Sequence, residues 1–319
     1  MDHATLSSLA RTLGSLLEPL TGQVYFSPEC HMNYVALGFD ASPGNANGVA
    51  LPDGPAYFTS RGSVMGQVPG EVIAAAFAVF NPEVVVPCVT MGWSRTDAAT
   101  ICAGRDAGAI AQLVRLLGEA PAGIERVNEL LARAVAPLRP EGRPLYAGLR
   151  SLAMPDSPIG TMWRMGDMLR EFRGDSHTAA WISAGVNATE IGLLSEMYWG
   201  LPMRSYSRTR AWTDGQFDAS VESLQSRGLV TTDGFTDAGR ALRESIEVAT
   251  DAQMAGAIAA LGDDIDELFT ILAPWGTTVR AGFGYLSSGP HDLADQASRL
   301  SSVRSAHPSS AASYDTELA

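Results

Sequence analysis

The densest chemistry-bearing stretch is WRMGDMLREFRGDSH, residues 163–177, in a chain where only 18% of residues are charged. Histidine is the side chain that titrates nearest neutrality, so His177 with Glu171 or Asp175 reads as a general base with an orienting acid. Arg170 and Arg173 offer planar forks that could hold a carboxylate or a phosphate. On a helical wheel Met162, Met165, Leu169 and Phe172 share one side and form a core stripe. Trp163, Asp167, Arg170, His177 and Trp181 share the other, provided the helix continues past Gly174. Tryptophan is an unusual choice for a solvent face, so this side is expected to pack as well, around a ligand or against other helices. The competing reading is an interhelix ion-pair network in which His177 satisfies a buried backbone group. A second candidate is Arg61 in YFTSRGSVMG (57–66), which either holds an anion together with the helix start near Pro69 or pairs with Glu71 in a tight turn.

Composition removes several chemistries. All 22 basic residues are arginine. Without lysine, neither a P-loop of the GxxxxGK[ST] type nor a Schiff-base mechanism is available. The formal net charge of −13 disfavours a polyanion-binding protein. Cys30, Cys88 and Cys102 are odd in number and show no CxxC spacing, and no HxxxH or HExxH brings histidines together. No metal and no cofactor is therefore expected. A nucleophile elbow of the GxSxG type is absent, and GFGYLSSG (282–289) lies at a helix end rather than in a βαβ unit, so dinucleotide binding is not indicated. The first residues read as an amphipathic helix with Leu6, Leu9, Leu13, Leu16 and Leu17 on one side. They lack the basic and apolar regions of a signal peptide, and no apolar run is long enough to span a bilayer. A reducing cytoplasm fits this cysteine usage.

Helical periodicity dominates the elements that must position these groups. Helices are expected over 28–39, from about Pro69 to Asn81-Pro82, from a cap at Asp97 to about Leu117, and over 122–136 and 143–153. Another runs from Ser157 to about Phe172, where Gly174-Asp175 is expected to break or kink it before a second piece. ASPGNANGVALPDGP (41–55) reads as a surface loop. Further on, 188–201 is a helix and 212–230 another, with Thr213 as cap and Phe217, Val221 and Leu224 as its apolar face. A turn at 231–234 leads into a helix capped by Thr236. Helix, helix, tight β-turn, helix is the order of a winged helix-turn-helix. The fold expected is mainly α, with tandem, degenerate winged helix-turn-helix domains and small β-wings. Domain limits are expected at 1–150 and 151–286, the first either a plain helical domain or a degenerate winged helix, followed by a Ser/Ala-rich disordered tail over 287–319.

The stretch SLQSRGLVTTDGFTDAGRALRESIE (223–247) resembles the recognition helix, wing and following helix of MarR-type regulators. YFTSRGSVMGQVPGEVIAAAFAVFNP (57–82), LREFRGDSH (169–177) and the wing segment resemble an actinobacterial family of predicted tandem winged-helix proteins. That resemblance implies a fold and no particular activity. DNA-binding winged helices need cations on the recognition helix, because phosphate contacts supply most of the affinity. Here Asp214, Asp218 and Glu222, spaced i, i+4, i+8, line one face instead. Arg204, Arg208 and Arg210 form the nearby basic cluster, either a phosphate clamp or a set of local ion pairs. The leading expectation is a small-molecule-binding protein, or a metal-free acid/base enzyme, on a winged-helix scaffold that has lost DNA binding. In it His177, Glu171 and Asp175 would be catalytic, with Arg61, Arg170, Arg173, Trp163 and Trp181 around the ligand. The alternatives are a MarR-like ligand-responsive transcription regulator and a protein-interaction module without catalysis; the sequence leaves the oligomeric state open.

Overall fold

The computed structural model describes residues 1–287 and Gly289. Most of the tail anticipated over 287–319 lies outside them. Among the described residues the chain is mainly helical, with two small antiparallel hairpins. In chain order the elements are α1 (His3–Thr21), α2 (Pro28–Ala36), β1 (Asn45–Ala46), β2 (Val49–Ala50), α3 (Gly54–Gly62), α4 (Gly70–Phe77), α5 (Pro82–Arg95), α6 (Ala98–Leu117), α7 (Ile124–Val135) and α8 (Pro144–Ser151). There follow α9 (Pro158–Ser183), α10 (Ala188–Trp199), α11 (Asp214–Ser226), β3 (Val230–Thr231), β4 (Gly234–Phe235), α12 (Asp237–Gln253), α13 (Ala255–Leu261) and α14 (Ile265–Ala281).

Local chemistry sets most of the boundaries. Side chains of Asp2, Ser27, Asp53, Asn81, Asp97, Ser157, Asn187, Thr213 and Thr236 each accept a backbone N–H in the first turn of the helix that follows. Asn47 and Gly48 both have positive φ, the conformation that a two-residue hairpin turn demands, so the expected loop 41–55 contains the β1–β2 ribbon. α5 was not foreseen, since a valine run and an internal Pro87 obscure its period.

The largest departure from the sequence reading is α9, which runs unbroken through Gly174. A mid-helix glycine costs about 1 kcal/mol relative to alanine. Packing of the rest of the helix outweighs that, although Gly174 itself is exposed, because α9 packs against α1, α6, α7, α8 and α12. Both stripes of the wheel are therefore largely interior: Met162, Met165, Leu169 and Phe172 are buried, and so are Trp163, Asp167 and Trp181, with Arg170 and His177 half-buried.

Apolar burial falls into two clusters. The larger joins α1–α9 with Met254–Tyr285. The smaller joins Trp181 and Val186 with α10, α11, Leu229, Val230 and Ile246. The larger core thus crosses position 150, where a boundary was expected, because α9 packs on α1, α6, α7 and α8, and α13 and α14 close on α1, α6 and α7 as well. The smaller core is that of the helix–helix–hairpin–helix unit formed by α10, α11, β3–β4 and α12. Residues 200–213 lie between its first two helices, whereas a helix-turn-helix usually connects them through about three or four residues.

Candidate functional site

Successive residues on one side of α9 carry charge into the interior, and helices from both ends of the chain answer it. Arg61 on α3 forms a two-pronged pair with Glu171, Nε to Oε1 at 3.0 Å and Nη2 to Oε2 at 2.8 Å. This replaces the expected pairing of Arg61 with Glu71, whose side chain is exposed. Arg170 donates to Glu171 at 3.0 Å and to Glu18 of α1 at 3.1 Å. The Tyr25 hydroxyl donates to Glu171 at 3.2 Å, and the Tyr285 hydroxyl donates to Glu18 at 2.5 Å. Burial by itself raises the pKa of Glu171; the Arg61 and Arg170 guanidiniums overturn that and hold it at about 2. Asp167, a turn earlier, is buried against Arg105 of α6 at 2.7 Å. Arg105 in turn lies 4.9 Å from the centre of the Trp163 ring.

The opposite side of α9 faces α12. Arg173 donates to Glu247 at 2.5 Å and to Asp251 at 2.8 Å, and Arg243 also donates to Glu247, at 2.7 Å. Arg11 of α1 reaches the other Asp251 oxygen at 2.7 Å. Here too burial opposes ionisation of Glu247, and Arg243 and Arg173 reverse it, leaving the carboxyl well below the usual range. His177 points to this side, its Nδ1 3.0 Å from the Thr250 hydroxyl.

Asp175 has a third orientation. It accepts the Tyr146 backbone N–H at 3.0 Å and so caps α8 from another helix. Burial raises its pKa to about 7 despite that bond, and the neighbouring Glu171 charge adds to the rise. The three proposed catalytic groups thus take different partners: Glu171 the arginines of α3 and α9, Asp175 the start of α8, and His177 the side of α12. Positions two residues apart on a helix differ by about 200° and cannot share a face, so His177 and Asp175 do not form the expected dyad.

The two tryptophans expected around one ligand are separated as well. Trp163 is fully buried in the larger core, with its Nε1 3.5 Å from the Thr21 carbonyl, while Trp181 belongs to the smaller core. Eighteen residues of helix put them about 27 Å apart. The sequence reading missed Glu18, Tyr25, Arg105, Arg11, Arg243, Glu247 and Asp251. Only their i, i+4 spacing in Arg243–Glu247–Asp251 offered a signal.

The second helix of the winged unit, α11, turns its charge outward. Asp214 and Asp218 are well exposed, and so is Glu222. Arg204 pairs with Asp218 at 2.6 Å and Arg208 with Asp214 at 2.8 Å. Two members of the basic cluster are thereby neutralised on the spot. Arg210 turns the other way, onto the faces of Phe80 at 4.5 Å and Tyr206 at 4.7 Å.

The α9 seam is tightly filled. One cavity of about 10 Å³ touches Arg170 and Arg173 and another of that size touches Tyr25 and Tyr57. Each has room for roughly one water. Among the described residues no group of three or more His, Cys, Asp or Glu is placed to hold a metal ion, and no helix is long and apolar enough to cross a membrane.

Comparison with curated proteins and with solved structures finds no match. Residues 10–286 do match a family, and the helix–helix–hairpin–helix order of α10–α12 agrees with it: the chain belongs to a helix-turn-helix family.

Proposed function

We propose that this chain uses a winged helix as a scaffold rather than as a DNA reader, and that it binds a small organic molecule where α3, α9 and the α10–α11 connection meet, once the packing there opens beyond the space of a single water. The observation that carries this reading is the local pairing of Arg204 and Arg208 with Asp218 and Asp214. A helix entering the major groove must neutralise phosphates. The outer face of α11 instead presents carboxylates, and the cations beside it are already engaged. Meanwhile the half-buried arginines and tyrosines against α9 are the kind of polar groups on apolar walls that fix a ligand's orientation.

The pair Glu171 and Asp175, one turn apart on α9, favours a second reading as metal-free acid/base chemistry. Their environments push one carboxyl to about 2 and the other to about 7, a separation that divides a fixed anion from a proton donor. In that reading Asp175 is the acid and Glu171 the electrostatic anchor, while His177 supports the α9–α12 contact.

Two measurements test the proposal together. Gel-shift titration with mixed-sequence duplex DNA at low salt is expected to give no retardation at micromolar protein. Native mass spectrometry of the full chain purified from its host is expected to show a retained small molecule. Tight, steeply salt-dependent DNA binding would overturn the reading in favour of a ligand-responsive regulator of the MarR kind. Absence of any small molecule, with a protein co-purifying in fixed ratio, would favour an interaction module.

A further inference from the structure

His31 of α2 is only 8% exposed, yet just one of its ring nitrogens has a partner. Nε2 lies 3.0 Å from the Tyr25 carbonyl oxygen. A carbonyl can only accept, so Nε2 carries the proton and Nδ1 keeps a bare lone pair. That nitrogen is buried and meets no hydrogen-bond partner among the described residues. Burial lowers the pKa of the ring, which keeps it neutral and the lone pair free. An acceptor left unmet in the interior has given up its hydration for nothing, so the position calls for a donor that the chain itself does not supply.

His31 lines a small cavity with room for about one water, and the groups around it share a character. Asp53, at the N-terminus of α3, brings a carboxylate to the lining. Its Oδ2 accepts the Ala56 backbone N–H at 3.0 Å, which leaves Oδ1 to a ligand. Ser60 donates its proton to the Tyr57 carbonyl at 3.3 Å, so its oxygen remains an acceptor. The Tyr25 and Tyr57 hydroxyls are engaged with Glu171 and Arg61, and the two rings stand edge to face with 5.0 Å between centres. No arginine lines this cavity. Acceptors, a negative charge and aromatic walls, with no cation among them, complement a group that is positive and donates hydrogen bonds.

Size narrows the choice. A guanidinium or a quaternary ammonium exceeds the space of one water, whereas a primary ammonium head matches it. A bare metal ion would want a third His, Cys, Asp or Glu, and the lining holds only His31 and Asp53. Tyr34 and Ser60 in the lining are buried, but Pro52, Asp53 and Tyr57 are half-buried, so a chain attached to the head can leave past them to solvent. We propose that this cavity binds the head of a primary amine in its ammonium form, with His31 Nδ1 and the Asp53 carboxylate as its acceptors. Such a site does not require the molecule proposed above against α9, and either can be absent without the other.

The test is an NMR titration of the isotope-labelled full chain, following the imidazole nitrogens of His31. The probes are n-butylammonium, butyltrimethylammonium and n-butanol at constant ionic strength: charge with N–H donors, charge alone, and a neutral hydroxyl. n-Butylammonium is expected to bind in the millimolar range, the reach of so few atoms. It is expected to bind at least tenfold more tightly than either of the others and to move the His31 Nδ1 resonance. Asp53→Asn is expected to lose at least tenfold of that affinity while unfolding within a few degrees of the parent, because asparagine caps a helix about as well as aspartate. A cavity that holds only water would leave the Nδ1 resonance unmoved by every probe. That result, an equal response to butyltrimethylammonium or n-butanol, or an unchanged affinity in Asp53→Asn overturns the proposal. Should Asp53→Asn fail to fold, the three probes on the parent chain decide it alone.

Discussion

Glu171 concentrates the argument at the scale of one residue. Its two oxygens accept from Arg61, Arg170 and Tyr25, and it is 2% exposed. Replacing it with glutamine keeps the shape and removes the charge, leaving two guanidiniums in the interior with one carboxylate, Glu18, between them. Breaking a buried pair from one side costs about 3–5 kcal/mol, because the abandoned charge cannot return to water. Glu171→Gln is therefore expected to lower stability by that order in urea unfolding. A loss below about 1 kcal/mol would mean that water reaches the arginines and that the seam is open rather than filled. His177 belongs to a different neighbourhood despite its position on the same helix, and the residue types alone could not reveal that.

At the scale of elements, the junction between the hairpin and α12 is the tightest point of the winged unit. Gly239 sits in the first turn of α12, where a Cβ would come within 1.8 Å of the Leu229 carbonyl oxygen. That carbonyl also accepts the Thr236 backbone N–H at 3.1 Å, so the strand end and the helix start are locked together through a spot only glycine fits. Gly239→Ala forces the two apart. The expected result is a destabilisation of about 1–3 kcal/mol, the usual cost of overpacking, with a lower midpoint in thermal unfolding followed by circular dichroism. A neutral outcome would show that the hairpin shifts freely against α12. α9 supplies the complementary lesson: Gly174 looks like a helix breaker in isolation and is exposed, yet the helix runs through it because the residues on either side, Phe172, Arg173, Asp175 and Ser176, are buried against neighbouring helices.

Across the whole molecule the buried carboxyls oppose one another in their response to pH. Asp175 has a folded pKa of about 7, above the ordinary aspartate value of about 3.9. The folded state then holds its proton more tightly than the unfolded state does, so stability falls as pH rises through roughly 4 to 7. Burial raises Asp167 and Asp251 too, beyond what their arginine partners recover, and they tilt the curve the same way. Glu171, held at about 2, contributes stability above its unfolded value near 4.3 and loses it on the way down to 2. The melting temperature is expected to be highest near pH 4.5, falling between about pH 4.5 and 7, levelling off above that, and dropping steeply below pH 4. Asp175→Asn can still accept the Tyr146 N–H and is expected to flatten the upper slope; an unchanged slope would remove Asp175 as its source. The sequence by itself determined the helical class, the caps at Asp97, Thr213 and Thr236, the winged order of α10–α12 and the negative face of α11. Each of these depends on periodicity or on contacts within a few residues, which a linear reading contains. Tertiary structure alone decided that Arg61 meets Glu171, that Arg11 meets Asp251, that Trp163 and Trp181 lie in separate cores, and that Arg210 turns away from its neighbours. Partners separated by tens to hundreds of residues leave no trace in local spacing, since the free energy that selects among several arginines and carboxylates comes from burial, and burial exists only once the helices have packed.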